Sequence, residues 1–163
     1  MNKLNEKIIR LLTEDAKMSI SDIAAACGVK ADEAAKAIKA LETSGVILKY
    51  SAVINTNKLD AENVQALIEV RVAPQKSKGF DKLAEEIYTF PEVKSVFLMS
   101  GGFDLAVFIE GKSLKEVAFF VSEKLASMES VVSTSTHFIL KKYKSDGVVF
   151  SDIAETNRLP ISH

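Results

Sequence analysis

Apolar positions recur at helical spacing in the first third of the chain and alternate like strands in much of the remainder. Leu4, Ile8, Leu11 and Leu12 fall at i, i+4, i+7 and i+8, one apolar face of a first helix. Ser19-Ile20-Ser21-Asp22 has the form of a capping box, whose hydroxyl and carboxylate can satisfy unpaired amides at a helix start. It opens a short second helix through Ile23 and Ala24 that Gly28 should stop. Ala31 to Ser44 predicts a third helix with Ala34, Ile38 and Leu41 inward, ended by Gly45 in the left-handed conformation. Val46-Ile47-Leu48-Lys49-Tyr50 and Ala52-Val53-Ile54 then predict two short strands. Helix, short helix, helix and a two-stranded ribbon make a winged helix-turn-helix, an arrangement that lays one helix in the major groove of DNA.

Residues 55–63 are polar and Asn-rich, which predicts a hinge between two units. Beyond it, Val64 to Val72 alternates Ala66, Ile68, Val70 and Val72 against Gln65, Glu69 and Arg71, a strand that Pro74 ends. Phe80 to Tyr88 predicts a helix with Leu83, Ala84 and Ile87 inward, stopping before Pro91. Ser95 to Met99 and Leu105 to Ile109 are two further strands around Ser100-Gly101-Gly102-Phe103-Asp104. Ser113 with Glu116 forms a second capping box, leading a helix with Leu114, Val117, Ala118, Val121, Leu125 and Met128 in one stripe. Val131 to Lys142 predicts a last long strand. The order β-α-β-β-α-β is that of ferredoxin-like folds, with both helices on one face of an antiparallel sheet. The fold class is therefore α+β: a winged helix-turn-helix over 1–54, a hinge over 55–63, a βαββαβ domain over 64–142 and a polar extension over 143–163. Topology alone does not assign a function.

Composition narrows the class. Of 163 residues, 47% are hydrophobic, ample for two cores, yet no apolar run reaches the roughly 18 residues of a membrane helix. The first residues lack the layout of a secretory signal. The one cysteine, Cys27, cannot form an intramolecular disulfide, so a reducing cytoplasm is the expected home and a small core residue the expected role.

The chemistry is sparse. His137 and His163 are the only histidines, and no metal-ligand spacing, phosphate-binding glycine loop or Ser/His/Asp set is present, so no catalytic residue, metal or cofactor is expected. Residues 1–63 carry nine basic and nine acidic side chains, a net charge of zero, where a strong monomeric DNA binder shows a basic footprint. Lys36 and Lys39 are neighbours on the third helix, Lys30 stands at its start and Lys49 in the ribbon. They read either as phosphate and groove contacts or as a solvated face. Gly101 and Gly102 permit positive φ and expose N–H groups that could hold a carboxylate, while Asp104 could receive an ammonium. The other reading is a hairpin whose Asp bonds its own turn. Thr134 and Thr136 either line a cleft or fill a half-buried face.

The assembly resembles the Lrp/AsnC, or feast/famine, family of transcriptional regulators over residues 3 to 142. Ile23-Ala24 with Gly28, Ile38 with Leu41-Glu42, Gly45-Val46-Ile47 followed by Tyr50, the Ser100 to Asp104 turn and Thr134-Ser135-Thr136 carry the resemblance through their order and spacing. His137 to Lys144 and onward to Arg158-Leu159-Pro160 looks like a subgroup with a C-terminal extension. The resemblance implies binding to double-stranded DNA, a homodimer that assembles further, often to an octamer, and an amino acid or similar effector between the C-terminal domains. It places that effector at Ser100, Gly101, Gly102, Phe103 and Asp104, with Thr134 and Thr136 nearby. Two departures stand out: Lys30 holds the position of the family's usual Ser, and Ala37 and Ala40 stand where arginines are common. Because base edges are read best by the bidentate Arg fork, the lysines here are expected to act chiefly on phosphates, and assembly into an oligomer would multiply weak heads. The missing arginines also fit a second reading, an enzyme subunit similar to siroheme decarboxylases with a degenerate helix-turn-helix. The scarcity of His and Arg argues against it, since a carboxylated tetrapyrrole needs cationic partners.

Overall fold

The computed structural model describes residues 2–59, 63–73 and 79–150. Pro74, Asp60-Ala61-Glu62 of the expected hinge and Arg158-Leu159-Pro160 of the extension lie outside them. The chain divides into two compact units, Met1–Ile54 and Asn55–His163.

Unit one holds α1 (Lys3–Glu14), α2 (Ile20–Cys27) and α3 (Ala31–Thr43). Each helix begins where the chain supplies an extended residue. Asn2 Oδ1 accepts the Asn5 N–H at 2.8 Å and Ser19 Oγ accepts the Asp22 N–H at 3.2 Å. The Asp22 carboxylate does not reach back to a backbone amide as expected; it accepts from Ser19 Oγ at 2.6 Å. Gly28 (φ 73°) and Gly45 (φ 72°) end α2 and α3 in the left-handed region, where a Cβ is costly. Ile8, Ile23, Ala24, Ala34 and Leu41 form the buried core, with Ile38, Ala37 and Cys27 packed against it. Cys27 is thus a half-buried small apolar residue.

The two-stranded wing is not formed. No strand occurs between Val46 and Ile54, and Leu48 is 87% exposed. The amides of Val46 and Ile47 both bond to Leu41 O, at 3.0 and 3.1 Å, so the head of the expected strand is spent on closing α3.

Unit two is a four-stranded antiparallel sheet with two helices. It comprises β1 (Val64–Val72), α4 (Phe80–Tyr88), β2 (Val93–Leu98), β3 (Leu105–Gly111), α5 (Leu114–Phe119) and β4 (Val131–Phe138), in sheet order β2-β3-β1-β4. That is the expected ferredoxin-like arrangement. Residue alternation sends Ala66, Ile68, Val70, Leu105, Val107 and Ile109 to one face, where they are buried with Leu83 and Ile87 of α4 and Val117 of α5. β4 stops at Phe138 rather than Lys142, because its partner β1 begins at Val64 and offers Ile139 only one further bond, to Gln65 O.

Two features escape the expected pattern. After α5 the chain continues as a π-helix, Phe120–Leu125. Phe120 and Leu125 are both buried, five residues apart, a spacing that the i→i+5 pitch brings to one face and the α pitch does not. Residues 143–150, expected as the start of a polar extension, contain a hairpin of β5 (Lys144–Ser145) and β6 (Val148–Val149) around Asp146 and Gly147, both at positive φ.

The π-helix is pinned by Lys124, whose Nζ donates to Glu92 Oε1 at 2.6 Å and lies 5.0 and 5.5 Å from the ring centroids of Phe90 and Phe120. This hydrogen bond holds the Glu92 carboxyl below its usual range, against the opposing effect of burial. A depressed folded-state pKa contributes stability above the unfolded value of about 4.5 and loses it as pH falls through the folded value. Lys124→Met should therefore lower the melting temperature at neutral pH and shrink the wild type's loss on acidification below pH of about 4, read by circular dichroism at stepped pH. An unchanged acid limb in the variant would sink this assignment.

Candidate nucleic-acid interface and effector turn

α3 follows α2 across Gly28-Val29-Lys30, the placement of a second helix in a helix-turn-helix. Its inward stripe is Ala34, Ile38 and Leu41, which leaves Asp32, Glu33, Lys36, Lys39, Ala40 and Thr43 on the exposed side. Lys30 occupies the N-cap with extended backbone and no side-chain cap, since an ammonium cannot accept an amide proton. Ala37 is half-buried against the core, whereas Ala40 is open to solvent.

Lys36 carries no ion pair among the described residues, and Lys39 Nζ stands 3.7 Å from Glu42 Oε2 with 78% of its side chain exposed. An exposed i,i+3 pair of this kind is worth little and leaves the cation available. Glu42 is held from its other side by Tyr50, whose hydroxyl donates to Oε1 at 3.0 Å. Burial and that acceptor push the Tyr50 phenol above its ordinary value. Lys49, beside it, is exposed. The structure thus places Lys36 and Lys39 on one open face of α3, Lys30 at its start and Lys49 beyond its end. Sequence reasoning missed the link through Tyr50; the eight-residue step from Glu42 across the Gly45 turn gave no periodic signal.

The second candidate, Ser100 to Asp104, joins β2 to β3. Ser100, Gly101 and Gly102 are exposed, Phe103 and Asp104 half-buried. Neither glycine sits at positive φ, so the turn does not use the freedom they offer. Asp104 is part of the sheet frame. Its N–H donates to Val70 O at 2.9 Å, its O accepts from Met99 N–H at 2.8 Å, and its Oδ2 accepts from Val72 N–H at 2.7 Å. Val72 lies two residues beyond the last β1–β3 pair, Val70 with Leu105, so the carboxylate supplies an acceptor where that ladder has run out. Among the described residues, Asp104 Oδ1 and the Gly101 and Gly102 amides make no hydrogen bond.

Thr134 pairs with Val70 and Thr136 with Ile68, on the helix-covered face and half-buried. Leu105, Val70 and Thr134 lie in one row across the sheet, so the turn and Thr134 share an end of the sheet two strand spacings, about 10 Å, apart. Thr136 is one step further from that end.

Two family models match the chain: the AsnC-type helix-turn-helix domain over residues 1–42 and the Lrp/AsnC ligand binding domain over 65–149. The HTH-type transcriptional regulator YugG of Bacillus subtilis is 48% identical, across 98% of this chain and 99% of its own length. The HTH-type transcriptional regulator FL11 of Pyrococcus furiosus is 30% identical, across 99% and 97%. Among solved structures, the leucine response regulatory protein of Mycobacterium tuberculosis superposes with a TM-score of 0.76 at 20% identity, covering 93% of this chain and all of its own. A transcriptional regulator of Neisseria meningitidis, solved with L-Met, superposes with a TM-score of 0.70 at 23% identity, covering 89% and 93%. The chain belongs to the Lrp/AsnC family and is an HTH-type transcriptional regulator; these relatives support that reading and not the siroheme-decarboxylase-like alternative.

Asp104→Ala would leave the Val72 amide without its acceptor at a half-buried site, costing about 1–3 kcal/mol of stability. Denaturant unfolding of the variant should show it as a lower midpoint, and an unchanged midpoint would mean that Asp104 is not a strut.

Proposed function

We propose that this regulator holds DNA chiefly through phosphate contacts from Lys30, Lys36, Lys39 and Lys49, and that an amino acid or close relative sets its activity. The observation that carries the first part is the open face of α3, where Lys36 and Lys39 follow the acidic first turn of Asp32 and Glu33 and no guanidinium is present. Lysine meets phosphate as a point charge and reads base edges less well than Arg does. The L-Met complex of the Neisseria neighbour supports the second part. The Ser100 to Asp104 turn, with Thr134 and Thr136 at or near the same sheet end, is the effector contact proposed for this chain. No catalytic step is assigned, and the cytoplasm is the proposed location.

The exposed sheet face supports assembly. Opposite the helices lie Leu67, Phe97, Ala106 and Phe108, with Phe97 and Phe108 edge to face at 6.0 Å and Phe97 still 51% exposed. This apolar patch, set among Gln65, Glu69 and Glu110 on the same face, gains by being covered, so two copies pack there and further assembly, to an octamer, builds on that dimer. Light scattering at micromolar concentration should give at least twice the 17.8 kDa chain mass. A monomer would remove the proposal.

Gel shifts on the protein's own upstream DNA test the head. Lys36→Ala and Lys39→Ala should each weaken binding to operator and random duplex alike, and each should lower the slope of log affinity against log salt by about one. Loss restricted to the operator would show direct base readout instead, and no complex even at about 50 mM salt would refute DNA binding.

A further inference from the structure

Glu110 stands opposite Gln65 across the β3–β1 pair, at the end of the sheet away from the Ser100 to Asp104 turn. Its carboxylate accepts from Gln65 Nε2 at 2.7 Å and from Asn63 Nδ2 at 2.9 Å. Both partners are neutral amides, so the carboxylate is oriented but its charge is not cancelled, and each oxygen keeps a lone pair for a further donor. Glu110 lines a cavity of about 180 Å³ together with Lys142, which follows β4. Among the described residues neither makes an ion pair; the ion pairs present are Lys39–Glu42, Lys124–Glu92 and His137–Glu69. Lys141 lines the same cavity, but its ammonium stacks on the Tyr143 ring at 5.3 Å.

Two opposite charges therefore face one small cavity without neutralising each other. That arrangement complements a zwitterion, which brings an ammonium and a carboxylate held a fixed distance apart. Half-buried Ile139 supplies apolar wall for an aliphatic side chain, and the exposed Leu59 and Leu140 line the same cavity. The cavity is small and partly open to solvent, which suits a molecule of amino-acid size. Thr56 and Leu59 give the site its reach into the hinge. They belong to, and directly follow, the short 3-10 turn Thr56–Lys58 that begins just after unit one ends at Ile54.

We propose that this cavity is a second amino-acid site, separate from the Ser100 to Asp104 turn, and that its ligand ties the hinge turn to the sheet through Glu110 and Lys142. The choice of amino acids as probes rests on the effector reading above. Hydrogen exchange measured by mass spectrometry on the full chain, with each standard L-amino acid at millimolar concentration, tests it. At least one amino acid should protect residues 55–59 and 139–142. That protection should require at least tenfold more ligand in Glu110→Gln and in Lys142→Ala, both with melting temperatures near wild type. The deaminated acid of the active amino acid should protect neither stretch.

Protection at residues 100–104 alone overturns the second site while leaving the effector reading standing. Protection nowhere, with DNA binding indifferent to every amino acid, overturns both. Equal protection in both variants, or by the deaminated acid, removes the zwitterion assignment.

Discussion

Unit two hangs on one strand. β1 is paired on both sides, to β3 and to β4, and its Ala66, Ile68 and Val70 are fully buried beneath the helices. Burying three apolar side chains without exposing their backbone requires that both ladders be complete, because an unpaired buried amide costs as much as a lost hydrogen bond. This explains the position of Asp104. The Val72 amide faces β3, whose pairing with β1 ends at Val70 and Leu105, and the Asp104 carboxylate takes that amide just beyond the last pair. The turn proposed to meet an effector is therefore also the place where the sheet's central strand is completed. A ligand that recruits Asp104 Oδ1 would pull on the same carboxylate that serves Val72.

The opposite end of β1 is built differently. There Gln65 and Asn63 hold Glu110 with neutral amides, leaving formal charge in a cavity that Thr56 of the short 3-10 turn also lines. The two ends of one strand thus present two carboxylates in different states of commitment: one bonded into the frame, the other oriented and uncompensated.

Where local pattern decides the structure, the sequence is a good guide. Phe80 to Tyr88 is helical with the expected bounds, Ser113 and Ser19 cap as their spacing predicts, and the alternation of Val64 to Val72 names the buried face. Each of these depends on residues within one turn or one strand. The missed features depend on partners far along the chain or on competition between local choices. The expected wing lost its amides to the closing of α3, and β4 ran out where β1 begins. The Asp104–Val72 bond and the Glu110 cavity join residues 32 and 47 positions apart, separations that periodicity does not encode. The hairpin after Tyr143 was legible in Asp146-Gly147 between short runs, a turn signal obscured by the polar residues around it.

The π-helix has a consequence for comparing chains of different length. Between Phe120 and Leu125 it holds one residue more than an α turn needs to keep both side chains inward. A relative shorter by one residue at this point would return to the α pitch with the same two anchors buried. The same deletion inside β3 would invert every following side chain of the strand. A single-residue gap over 121–124 in an alignment therefore marks a change of helical pitch with the core conserved, and scoring it as a structural break would misplace the boundary of the fold.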